Sequence, residues 1–244
     1  MSATNIERLI DDFAIRSFRD RADEDYISAR MSFRAELPPP SLWSSLQAVE
    51  KYLKCILLLS RIPCKQARHN LILAVDAINS SSKVALDLTP GTMEFIKYLN
   101  EYGSFRYLEV SNVAFGRSLT SLDRAVWELR RFCSKDGGPS RVKLRHGVIP
   151  PKFHFPGGCL EAIIDDVDNP AREPLLWQNA FFGKRQRRRV ALKPWLKAEN
   201  APLYLNPQIL DEIVKYVHLP KRLVEGYRDY AKLRAGTEQV TKCT

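Results

Sequence analysis

The chain lacks most of the short signatures that name a chemistry. It has no Gly-rich phosphate loop, no nucleophile elbow, no paired-carboxylate signature and no internal repeat. Its five cysteines (55, 64, 133, 159 and 243) form no C-x-x-C pair and make an odd number. This gives no sign of a disulfide framework and, with the acids at the opening of the chain, points to reduced thiols in a cytoplasmic chain. No apolar run approaches the roughly 20 residues of a membrane span, so no membrane partner is expected. The opening MSATNIERLIDDF carries acids where a secretory leader needs a basic flank and an apolar run. Histidine is scarce, with four in 244 residues. His146, His154 and Cys159 lie close together, with Asp165 and Asp166 further on, but match no common zinc spacing, so neither metal nor cofactor is expected.

What the chain has in excess is positive charge. Net charge is +10, with 45% hydrophobic and 27% charged residues, an ordinary balance for a globular protein. The excess is uneven. Residues 1–134 hold 18 Lys and Arg against 16 Asp and Glu, whereas residues 135–244 hold 20 against 12. A basic second half favours an anionic partner such as RNA or another nucleic acid. The run Lys184-Arg185-Gln-Arg187-Arg188-Arg189 concentrates five charges in six residues, which repel one another unless an anion is near. Trp177 before the run and Trp195 after it have faces on which bases stack. The run also suits a solvated loop, an acidic protein surface or a localisation signal.

Helical spacing dominates the first half. Residues 3–15 place Ile6, Leu9, Ile10 and Phe13 on one side. From Ser17 to Ala35, Phe18, Ala22, Tyr26, Ala29 and Phe33 form an amphipathic stripe that Pro38 to Pro40 stop. A buried helix is predicted over Leu42–Leu59, with Ser41 as its N-cap. A narrow polar strip of Gln47, Glu50, Lys51 and Lys54 runs along it, with Glu50 and Lys54 in the favourable acid-first order. Further helices are predicted at LILAVDAINSS, from Met93 to Tyr102 after Pro90, and from Ser118 to Cys133. Residues 1–134 therefore read as an antiparallel helical bundle.

Gly137-Gly138-Pro139 marks a boundary, and residues 140–244 read as a smaller basic α+β domain. Strands are expected near Val142–Val148, Cys159–Ile164 and Leu203–Leu205. LLWQNAFFG suits either strand or helix, and RVALKPW reads as extended. Two helices follow, one opened by Asn206-Pro207 and one carrying Leu223, Val224, Tyr227, Tyr230 and Leu233.

Asp25-Tyr26 and Ala29-Arg30, the helix LQAVEKYLKCILL, the step His69-Asn70-Leu71 and the later Arg106-Tyr107 occur in an order that resembles the HEPN family over residues 17–134. The resemblance implies a mainly α, HEPN-like bundle in a prokaryotic defence or stress setting of toxin–antitoxin type. Many HEPN proteins are metal-independent ribonucleases that use an arginine and a histidine four to six residues apart. Others bind nucleotide or partner proteins, and some act beside a neighbouring nucleotidyltransferase or antitoxin-like protein. Here His69 is the only histidine in residues 17–134, and neither Arg68 nor Arg61 stands at the family's spacing. Arg141 and His146 do, but beyond the Gly-Gly-Pro boundary, in a stretch read as strand, where residues five apart point to opposite faces. The leading expectation is a non-catalytic RNA- or nucleotide-binding module that dimerises. Glu50, Lys51, Lys54 and Tyr107 are its nucleotide-binding candidates, and Lys184, Arg185, Arg187, Arg188, Arg189, Trp177 and Trp195 its nucleic-acid contacts. The alternative is a ribonuclease in which His69 with Arg106, or Arg141 with His146, performs acid–base chemistry. His69 also suits a structural role, packed on Glu50 at the start of a helix.

Overall fold

The computed structural model describes residues 3–63, 67–103, 113–115, 117–133, 159–183, 196–198, 210–215 and 221–241. The chain is mainly α-helical and divides into two compact units, residues 1–104 with 116–193, and residues 105–115 with 194–244.

In the first unit, α1 (Ala3–Ala14) runs through a π-helical turn, Ile15–Arg19, into α2 (Asp20–Arg34). The turn buries Ile15 and Arg19, and α2 buries Ala22, Tyr26, Ala29 and Phe33, as their spacing predicts. The central helix is α3, Pro38–Leu59, which touches α1, the π turn, α2, α4 (Leu71–Asn79), α5 (Pro90–Tyr102) and α6 (Arg117–Arg130). Val49, Tyr52, Leu53, Cys55, Ile56 and Leu57 are wholly buried on it. Burial of such side chains contributes on the order of 1.5–3 kcal/mol each.

Ser41 is not the cap of this helix. The prolines themselves form its first turn, where the missing N–H groups would have no helical partner in any case. Ser41 instead donates its hydroxyl to the carbonyl of Ala29 at 2.9 Å, tying α3 to α2. The predicted Pro90 start is present, with the Thr89 hydroxyl accepting from the Thr92 amide.

Two short helices of the later chain, α7 (Cys159–Asp165) and α8 (Arg172–Leu176), complete this unit. The strand expected at Cys159–Ile164 is therefore a helix. Its apolar residues Leu160 and Ile163, three apart, face the core together, which a helix permits and an alternating strand does not. LLWQNAFFG resolves into the end of α8 and a turn, with Leu175 and Phe182 in the same core. The boundary expected at 134–140 thus does not coincide with the division of the fold, because α7 and α8 pack on α2. The expected strands at 142–148 and 203–205 lie outside the described residues.

In the second unit, β1 (Val113–Phe115) pairs antiparallel with β2 (Leu196–Ala198), Val113 opposite Ala198. Helices α9 (Leu210–Ile213) and α10 (Lys221–Thr241) share a small apolar contact of Leu210 and Tyr227, flanked by Val214 and Val224. Arg228 donates to Asp211 across it at 2.8 Å.

Candidate functional site

The polar strip of α3 meets the turn that opens α4. Glu50 and Lys54 project from one side of α3 because they stand four residues apart. Arg68, in the left-handed region at φ 44°, sits in the turn that brings His69 round to that strip. Asn70 then caps α4, its side-chain oxygen accepting from the amides of Ile72 and Leu73 at 3.0 Å each. The Leu71 amide is taken by the side chain of Asn100 at 2.8 Å. The start of α4 therefore has its first amides occupied and offers them to no anion.

Glu50 is the centre of the group. It is only 6% exposed, and its Oε1 accepts both the Lys54 ammonium at 2.5 Å and His69 Nδ1 at 3.0 Å. Its other oxygen, Oε2, is buried without a hydrogen-bond partner among the described residues. The His69 side chain, by contrast, is 83% exposed. An ionised carboxylate only accepts hydrogen bonds, so the ring nitrogen facing Glu50 is the donor, and in the neutral form of the ring Nε2 carries the lone pair. The arrangement is an oriented imidazole with an ammonium beside it. Lys51 lies apart from it, paired with Asp25.

The structure thus brings together three of the predicted residues, Glu50, Lys54 and His69. Trp177 has structural work. Its carbonyl accepts from Arg30, and its ring lies 5.6 Å from the guanidinium of Arg34. Arg106, Tyr107, Arg141, His146, Lys184, Arg185, Arg187, Arg188, Arg189 and Trp195 lie outside the described residues.

Beside the strip runs a buried ionic system that the sequence reading did not single out. Arg130 donates to both oxygens of Asp23 at 2.8 Å and to both oxygens of Glu161 at 2.6 and 2.7 Å. The Tyr52 hydroxyl donates to Asp23. Burial opposes the Arg130 charge, but Asp23 and Glu161 more than reverse that, holding its pKa well above the usual value. Along α2, Tyr26 donates to Asp123 at 2.6 Å and accepts from Asn179 at 2.9 Å. Arg30 donates to Asp123 and to the carbonyls of Pro174 and Trp177. Burial raises the Tyr26 and Asp123 pKa values, and the Asp123 charge raises that of Tyr26 further. The available signal was spacing: Asp23 and Arg30 interleave with Ala22, Tyr26 and Ala29 on the apolar face of α2. Every cation of this system is paired, so it is a clamp rather than an open site.

No group of three or more His, Cys, Asp or Glu side chains among the described residues is placed to hold a metal ion. No described helix is long and apolar enough to cross a membrane. No family model, curated protein or solved structure matches the chain.

Proposed function

We propose that this chain is a HEPN-like protein that binds RNA or nucleotide as a non-catalytic binding and dimerisation module, in a prokaryotic defence or stress setting of toxin–antitoxin type. The observation that carries this reading is the adjacency of Lys54 and His69 on one oxygen of Glu50. It joins the EKYLK helix to the HNL step, the two segments on which the resemblance chiefly rests. An ammonium and an exposed imidazole side by side suit a phosphate group, and the net charge of +10 suits a polyanion. The basic run Lys184–Arg189 adds a sequence-independent attraction to the phosphate backbone. A neighbouring nucleotidyltransferase or antitoxin-like protein and a second copy of the chain are the protein partners in this reading.

The test is fluorescence anisotropy with a short single-stranded RNA at several salt concentrations. The native chain should bind with an affinity that falls as salt rises, by a log–log slope of about 0.7 per phosphate contacted. Neutralising Arg185, Arg187, Arg188 and Arg189 to Gln should lower both affinity and slope, and Lys54→Ala/His69→Ala should lower affinity. Absence of salt-sensitive binding by the native chain would overturn the reading.

One observation favours the ribonuclease alternative: Glu50 contacts His69 through Nδ1, so the neutral ring presents an unprotonated Nε2, as a general base requires. Cleavage of total RNA without added metal by the native chain, lost in His69→Ala/His146→Ala, would favour that reading over the binding module.

A further inference from the structure

The Glu50–His69 pair has a second chemical property, independent of any nucleic acid. We propose that His69 is a nucleophilic histidine that accepts a phosphoryl group on Nε2 from a small acyl phosphate or phosphoramidate donor, or from a phosphorylated protein of the same chemistry.

Three features of the site combine in this. The Glu50 carboxylate, 6% exposed and held by Lys54, accepts from Nδ1 and so leaves the lone pair of the neutral ring on Nε2. A carboxylate behind an imidazole N–H also fixes the ring's orientation and balances the positive charge that develops on it as the opposite nitrogen attacks. The side chain is 83% exposed, so a donor carried by another molecule reaches it without the protein opening. Lys54, bound to the same carboxylate oxygen, places a positive charge next to the incoming phosphoryl oxygens. The first amides of α4 are already taken by Asn70 and Asn100, which leaves that task to Lys54.

In the step itself, the Nε2 lone pair attacks phosphorus and the N–P bond forms as the donor's P–O bond breaks. The leaving carboxylate departs with the bonding electron pair. With a phosphoramidate the broken bond is P–N, and the leaving nitrogen takes a proton from water and departs as ammonia. The proton on Nδ1 stays in the hydrogen bond to Glu50, which balances the positive charge of the phosphorylated ring. No oxidant, reductant or metal takes part.

The test uses the full chain and potassium phosphoramidate as the probe. Phosphorylation is followed by phosphorus NMR and mapped by mass spectrometry over His69, His146, His154 and His218. His69 should be labelled on Nε2, about tenfold faster than the other three histidines, as an activated nucleophile requires. That preference should vanish when the native chain is labelled in urea, a comparison that does not depend on any variant folding. Glu50→Gln should bring His69 down to the rate of the others, and Lys54→Gln should slow it with the site of labelling unchanged. Labelling of His69 no faster than the other histidines, labelling on Nδ1, or an unchanged rate in folded Glu50→Gln would each overturn the proposal. Loss of RNA binding would leave it untouched, because no nucleic acid enters the experiment.

Discussion

Arg130 grips Asp23 with two parallel hydrogen bonds, Nε to Oδ1 and Nη2 to Oδ2, each 2.8 Å long, with the side chains 5% and 0% exposed. The residues are 107 positions apart, so the pair fixes α6 against α2. The same guanidinium reaches Glu161 and so also secures α7.

Removing one side of this clamp should leave a buried charge unpaired. Arg130→Met is expected to destabilise the chain by about 3–5 kcal/mol, the usual cost of breaking a buried ion pair from one side. Asp23→Asn/Arg130→Met should cost less than the sum of its single changes. Urea unfolding of the four members of the cycle measures the coupling.

Asp123 should make stability depend on pH in a definite direction. Burial raises its pKa above the ordinary aspartate value of 3.8, with Arg30 opposing less strongly. A raised folded pKa means that the folded chain holds this proton more firmly than the unfolded chain. The stability it contributes is therefore complete below about 3.8 and is lost as pH rises through the folded value. Relative to the native chain, Asp123→Asn should gain stability over that rise, read from urea midpoints at a series of pH values.

Cys159 should be a sluggish thiol. Burial pushes its pKa up from 9.0 to about 11, and the neighbouring Asp23 adds to the shift. Two units near neutral pH mean about a hundredfold less thiolate. In a variant keeping only this cysteine, alkylation at pH 8 should be about that much slower in the folded chain than in urea.

Gly103 should not tolerate a methyl group. A Cβ there would lie 2.6 Å from the Leu99 carbonyl oxygen and 2.8 Å from Leu46 Cβ. Neither the α5 backbone nor the stem of a buried leucine moves cheaply. Gly103→Ala is expected to cost about 1–3 kcal/mol, as overpacking does. Its thermal midpoint would show the loss.

Much of the bundle was legible because helical burial writes itself into local spacing. The stripe of α2 and the broad apolar face of α3 recur at three and four residues, and those residues are the buried ones. The strip of Glu50 and Lys54 was visible for the same reason, as was His69 as a residue at the mouth of the next helix. The start of α3 was not, because a triple proline stops one helix and suits the first turn of another equally well. Cys159–Ile164 was read as a strand because a six-residue apolar run is too short for its period to separate strand from helix.

The amino-acid order alone determined the mainly helical class, the polar edge of α3 and the surplus of positive charge, since each depends on near neighbours or on composition. Only the tertiary structure decided which charges meet. Arg130 with Asp23 and Glu161, and Arg30 with Asp123, are pairs 31 to 107 residues apart. Helix packing, not local spacing, sets such distances. The helix at Pro38–Leu59 carries Tyr52 into the buried clamp on one side and Glu50 to the exposed imidazole on the other.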